Sequence, residues 1–228
     1  MEQQAFMKIL LKNMKKIILY LIFSAFITSS LAQNVTVGLG GKPLLKSIAK
    51  SNIQGSPYFN SYLTTGKIKT AGQQEFEVKN LRYNLETQQL EYIENSNIYA
   101  VQDAIQSFML TDSLGKLNEF HLLQSGSTTG FYKIIANGNP ALLKQYSTSK
   151  ESVQDWYTKK TLEKLVHHDQ YFTNKAGVIQ KLIPSAKSLS KIMADKEAAV
   201  TTMIKSEQLN PKREDDLIKI FNFYNSLK

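Results

Sequence analysis

The chain has no cysteine among its 228 residues. That excludes disulfide staples and thiolate metal sites, and it excludes a lipid-modified N-terminal cysteine. Histidine is scarce, with three in all. Two of them stand together in His167-His168-Asp169. Neighbouring strand residues point to opposite faces, so this pair is poorly placed to share a metal. No run of basic residues and no recognition motif marks a nucleic-acid binder. Gly38-Leu39-Gly40-Gly41-Lys42 has neither the spacing nor the context of a phosphate-binding loop. Gly126-Ser127-Thr128-Thr129-Gly130 lacks the nucleophile-elbow pattern of a serine hydrolase. No metal, no cofactor and no catalytic residue is therefore expected from the sequence.

What is present begins at the N-terminus. Lys15-Lys16 precede an apolar run, Ile17–Ile27, and the small residues Ser30-Leu31-Ala32 follow. This is the layout of a secretory signal peptide, with cleavage expected before Gln33. The apolar run has 11 residues. A bilayer-spanning helix needs about 20, so membrane contact is expected only through the cleaved signal. Met14, just ahead of the basic pair, offers an alternative start that would make residues 1–13 an upstream extension. The predicted location is outside the cytoplasm: periplasmic, outer-membrane-associated or extracellular.

The formal charge is +9, of which +3 sits in residues 1–32. Residues 33–155 are nearly neutral, whereas residues 156–228 hold 13 basic and 8 acidic side chains. Such an excess favours anionic neighbours without specifying one. With 42% hydrophobic residues, the mature chain is long enough to fold by burial alone.

The patterning predicts four parts: the signal peptide (1–32), an N-terminal segment (33–56), an antiparallel β domain (57–183) and a C-terminal helical cap (184–228). In the first segment, Leu44, Leu45 and Ile48 suggest one amphipathic turn. From Tyr58 onward the period is two. Phe76 and Val78 alternate with polar residues, as do Leu81, Tyr83 and Leu85. The parity switch between Val78 and Leu81 predicts a bulge at Lys79-Asn80. Further strands are expected at 90–93, 98–101, 105–110, 120–123, 131–136 and 141–146. Asn137-Gly138 reads as a type I′ hairpin turn. Trp156-Tyr157, 162–166, 171–173 and 178–183 would add more strands. After Pro184 a short helix at 188–193 is expected. A second should be capped by Asp195 and run to about Glu207, and a third should start at Asn210-Pro211. Leu217, Ile220, Phe221, Tyr224 and Leu227 then line one helical face, suited to covering a sheet. The fold class is α+β: a strongly curved antiparallel meander, a half-barrel or open barrel, capped by two to three helices.

Gly55-Ser56-Pro57-Tyr58, Arg82-Tyr83-Asn84 and the ending Glu214-Asp215-Asp216-Leu217-Ile218 with Tyr224-Asn225-Ser226-Leu227 resemble segments of a group of uncharacterised exported proteins common in the Bacteroidota. That group shows a signal peptide, G-[ST]-P-Y, R-Y-N and a helical E-D-L-I ending followed by Y-Y-N-S-L. Here Phe223 stands where the first tyrosine is usual. The resemblance implies an envelope location and carries no catalytic residue.

Arg82 and Asn84 share the strand face opposite Leu81, Tyr83 and Leu85, and are the candidate ligand-binding residues. Arg82 either anchors an anionic or glycan ligand or pairs across strands with a glutamate such as Glu91. Glu75 and Glu77 read as a solvated face. The resulting expectation is a cell-envelope binding or structural module for an apolar, glycan or protein partner, held against the concave sheet. The alternative is an envelope hydrolase whose site is assembled from distant residues. A third reading is a component of an adhesion or secretion assembly.

Overall fold

The computed structural model describes residues 41–43, 53–60, 62–112, 114–154 and 156–227. The signal peptide and the amphipathic turn at 44–48 lie outside the described residues.

Among the described residues, eleven strands form one antiparallel sheet. In chain order they are β1 (Gly41–Pro43), β2 (Thr64–Thr70), β3 (Glu75–Asn84), β4 (Gln89–Glu94), β5 (Asn97–Val101), β6 (Ile105–Thr111), β7 (Leu117–Ser125), β8 (Thr128–Ala136), β9 (Ala141–Gln154), β10 (Thr161–Lys175) and β11 (Val178–Leu182). The spatial order is β1-β5-β4-β3-β2-β6-β7-β8-β9-β10-β11. This is two meanders that share β2, not one. The chain runs β2 to β5 in one direction, then returns so that β6 pairs with the other edge of β2. The sheet is open, with β1 and β11 at its edges. β1 falls in the stretch where no strand was expected. It pairs with β5, so its placement depends on a partner about 60 residues away that no local pattern reveals.

The predicted bulge is present. Thr64 pairs with Leu81 and Gly66 with Val78, so one residue of β2 faces two of β3. Asn80 takes a left-handed φ of 55° there. The extra residue restores the inward direction, and both Val78 and Leu81 are buried. Gly66, beside the bulge, has no room for a side chain. A Cβ there would lie 2.5 Å from Leu81 Cδ2 and 2.8 Å from the Met109 carbonyl oxygen. Since a backbone atom is part of the clash, Gly66→Ala is expected to destabilise by about 1–3 kcal/mol. A lowered urea midpoint at unchanged slope would show it.

Two corrections concern turns. The β8–β9 connection is not a type I′ turn. Residues 137–140 make it, with a cis Asn139-Pro140 bond, and Gly138 sits at φ 137°. The Asn225 side chain clamps it: Nδ2 donates to the Asn137 and Pro140 carbonyls, and Oδ1 accepts from the Asn139 amide. A tertiary contact has displaced the local preference. Trp156-Tyr157 are not in a strand either. They lie in the turn that joins the 14-residue β9 to the 15-residue β10.

Among the described residues the helices are α1 (Ala186–Ile192), α2 (Glu197–Ser206) and α3 (Glu214–Ser226), with a 3-10 turn at Ala194–Lys196. Ser185 caps α1 by accepting from the Ser188 amide. Asp195 does not cap α2; its carboxylate instead accepts from the Tyr224 hydroxyl. α3 starts at Glu214, later than Asn210-Pro211 suggested. The Asp216 carboxylate takes the Asn210 amide and holds residues 210–213 as a separate turn.

Burial is organised in three clusters. The largest gathers Ile68, Leu81, Tyr83, Phe108, Phe120 and Phe131 on one face of β2–β8, with Phe59 and Tyr146 packed against them. The second sets the α3 stripe Leu217, Ile220, Phe221 and Tyr224 against Ala136, Leu142 and Leu182, as the helical spacing foretold. The third, with Tyr132, Leu143 and Phe172, uses the opposite face of β8–β10.

Residues 53–60 form a strap. Gln54 exchanges backbone hydrogen bonds with Glu163 and Leu165 of β10. A few residues later, Phe59 N donates to Tyr83 O at the end of β3, and Leu85 N, just past it, donates to Pro57 O. Thr148 N of β9 also donates to Leu85 O at 3.2 Å. Strands far apart in the sheet order are thus tied to one another.

Candidate functional site

Arg82 and Asn84 do share a face, and β4 supplies their partner. Arg82 is in register with Glu91. The Arg82 guanidinium donates from Nε (3.2 Å) and Nη2 (3.0 Å) to Glu91 Oε2, and Asn84 Nδ2 donates to Oε1 at 2.8 Å. The strap adds Tyr58, whose hydroxyl donates to Oε2 at 3.0 Å and whose ring lies 3.9 Å under the guanidinium. Glu91 is only 1% exposed. The cross-strand pair anticipated from sequence is present, but it is buried, not a surface pair. Asn84 Oδ1 accepts the Glu86 and Thr87 amides and shapes the turn into β4. The two candidate residues therefore spend their polar atoms on one carboxylate and one turn.

A second polar group runs across β7–β10, between the sheet's main apolar cluster and the helical one. Asn118, Lys133, Lys144 and Tyr171 sit on neighbouring strands, Lys133 directly opposite Lys144 and Lys144 directly opposite Tyr171. Lys144 Nζ lies 2.8 Å from Asp169 Oδ2 and 2.5 Å from Glu214 Oε2. The Tyr171 hydroxyl donates to the same Glu214 oxygen at 2.8 Å. Lys133 Nζ donates to Asn118 Oδ1, and Asn118 Nδ2 in turn donates to Asp112 Oδ2. Glu214 reaches the belt because α3 begins there, where the helix dipole also favours a carboxylate.

The charge states follow from these contacts. Burial alone would push the Lys144 ammonium down, but hydrogen bonds to Asp169 and Glu214 outweigh it and hold its pKa above the ordinary lysine value. Burial raises Tyr171, and its bond to Glu214 raises it further. Glu214 is pushed up by burial and pulled down more strongly by Lys144 and Tyr171, so it ends below the usual glutamate range. Lys133 is lowered, chiefly by burial, with Lys116 and Lys144 repelling its charge.

Glu214 therefore links stability to pH. A carboxylate with a depressed folded-state pKa contributes stability above its unfolded value, near 4.3, and loses it as pH falls through the folded value. Glu214→Gln is expected to lose about 1 kcal/mol at neutral pH, modest because the carboxylate is 34% exposed. Unfolding curves of the two proteins should converge as the solution is acidified.

The histidines lie apart from this belt. His167 Nε2 is 2.7 Å from the Ser56 carbonyl oxygen, and His168 Nε2 is 2.7 Å from Ser149 Oγ. Glu151 approaches that same His168 nitrogen at 3.5 Å. In a nucleophile–base–acid triad the carboxylate holds the other ring nitrogen, so this trio does not have that geometry. Among the described residues no group of three histidine or carboxylate side chains is arranged to hold a metal. No described helix is long and apolar enough to cross a membrane. An apolar groove of about 240 Å³ lies between α1 and α2, lined by Leu189, Met193, Val200 and Ile204.

The belt was missed at the sequence level, although a trace of it is there. Lys144 stands at the inward parity between Leu142 and Tyr146, and Lys133 between Phe131 and Ile135. A lysine at an inward position on each of two adjacent strands is the signal, and it becomes readable once register is known.

Compared with known protein families, curated proteins and solved structures, the chain matches none.

Proposed function

We propose that this chain is an exported cell-envelope protein, periplasmic or associated with the outer membrane or cell surface, that works as a non-enzymatic binding module. Its scaffold is a strongly curved half-barrel, and its contact surface is the far end of the β9–β10 hairpin. The curvature is supported by the strap, which bonds β10 and β3 at once. The inside of such a curve is filled by the protein's own Phe59, Tyr83, Phe108, Phe120 and Phe131. A ligand held against the concave sheet has no space there, so binding moves to the outside.

The observation that carries this reading is the hairpin end. Trp156 is 82% exposed and Tyr157 79%. Rings left in water at the tip of a projecting ribbon are area that a partner would cover. In support of binding over catalysis, the ionised groups of both polar clusters are engaged within their clusters, and the α1–α2 groove is mostly apolar.

Cell fractionation with intact-mass measurement tests the export half. The expected product begins at Gln33 and is found with the envelope; an unprocessed cytosolic product overturns it. Trp156 is the one tryptophan, so its emission tests the binding half. Addition of an envelope fraction should shift that emission, and an unchanged spectrum overturns binding through the tip.

A further inference from the structure

We infer that the partner of the hairpin tip is the surface of an anionic lipid bilayer, into which Trp156 and Tyr157 dip to headgroup depth. The inference rests on the binding reading above and names the partner of the same surface.

Four features point to lipid. First, the tip carries the most exposed rings: after Trp156 and Tyr157, the next among the described residues is Tyr62 at 50%. Val153, also exposed, sits just behind the rings, in register with Leu162. Trp and Tyr are the side chains whose amphipathic rings settle at the membrane–water boundary.

Second, the shape is wrong for a protein partner. A stable protein interface needs about 800 Å² from each side. The end of a two-stranded ribbon is convex and offers a few side chains. A bilayer accepts a convex apolar tip without a matching surface.

Third, the shape is wrong for a sugar. Stacking on a glycan uses an open ring face with carboxylates or amides beside it. Here the two rings meet edge to face, 67° apart at 5.7 Å.

Fourth, the charges suit anionic headgroups. The connecting loop 155–160 carries Lys159 and Lys160 against Asp155, and both lysines are exposed. Further down the ribbon Glu163 faces Ser152, Lys164 is opposite Glu151, and Lys150 lies 3.2 Å from Glu86. Lys159 and Lys160 stand at the end that would meet the membrane, where their long stems let the ammonium groups reach phosphates.

The test uses the chain as recovered from cells, with vesicles of equal parts phosphatidylglycerol and phosphatidylcholine, and vesicles of phosphatidylcholine alone. Trp156 emission should move to the blue on the anionic vesicles and the protein should sediment with them, both effects fading with added salt. The Lys159→Glu, Lys160→Glu double variant should bind about tenfold more weakly or worse. The Trp156→Ser, Tyr157→Ser double variant, altered only at exposed positions, should stay in the supernatant. Sedimentation of that variant at the level of the parent overturns the inference, because another part of the chain then holds the membrane. Unchanged emission on both kinds of vesicle also overturns it. If a lipid-extracted envelope fraction still shifts the emission while vesicles do not, the lipid assignment falls and the binding module stands. If neither shifts it, both fall.

Discussion

Glu91→Ala is expected to destabilise the fold by about 3–5 kcal/mol, the cost of breaking a buried ion pair from one side. The carboxylate is buried and accepts from Arg82, Asn84 and Tyr58. Its removal leaves the Arg82 guanidinium desolvated against the Tyr58 ring with no anion to answer it. The prediction is specific in how the partners combine. Arg82→Met alone should also be destabilising, since the buried Glu91 carboxylate loses its guanidinium and keeps the neutral donors Asn84 and Tyr58. Replacing both, Arg82→Met with Glu91→Leu, should cost less than either single change, because the two opposite charges are then removed together. Equilibrium unfolding of the three variants checks it. Additive losses would mean that the two residues act independently.

Phe120→Ala should be of similar size, about 3–5 kcal/mol. Phe120 is fully buried, stacked 4.8 Å from Phe108 and edge-on to Phe59 at 5.1 Å. Tyr83 and Tyr146 also touch it, at 5.6 and 5.9 Å. No single neighbour can fill the space. The contact with Phe59 makes the effect local as well as global, since Phe59 is the strap's ring in the core. Hydrogen exchange should therefore accelerate at the amides of Phe59 and Leu85, which bind the strap to β3, by more than at the β8–β9 ladder. Equal acceleration everywhere would mean that the strap opens only with the whole sheet.

Much of the fold was legible in the residues because alternation and turn chemistry agreed. The parity switch at Lys79-Asn80 needed only the rule that a buried face stays buried. The stripe Leu217, Ile220, Phe221, Tyr224 needed only helical spacing. What was not legible depended on distant partners. Gly41–Pro43 is a strand because β5 lies beside it. Asn137-Gly138 takes an unexpected form because Asn225, almost 90 residues later, reaches it. Asp195 looked like a cap and serves Tyr224 instead. The candidate site divides in the same way. Arg82, Asn84 and Glu91 could be paired by counting back from the β3–β4 turn. Lys144 and Glu214 are 70 residues apart, and no count from a turn brings them together. Trp156-Tyr157 were misplaced because aromatic residues favour strands on average, and their average says nothing of a ribbon's end.

The strap sets an order of events. Its residues come early in the chain, yet the edge they hold belongs to β10, more than a hundred positions later. Synthesis proceeds from the N-terminus, so Gln54 waits for its partners until residue 165 arrives. Until then the aromatic cluster is not fully covered. Closure of so long a loop is slow compared with hairpin formation. The nascent polypeptide therefore passes through a sticky stage in which the strap is held by its early partners alone. A holding chaperone that shields Phe108, Phe120 and Phe131 in that interval should raise the yield of folded protein, and should have nothing left to grip once the strap is seated.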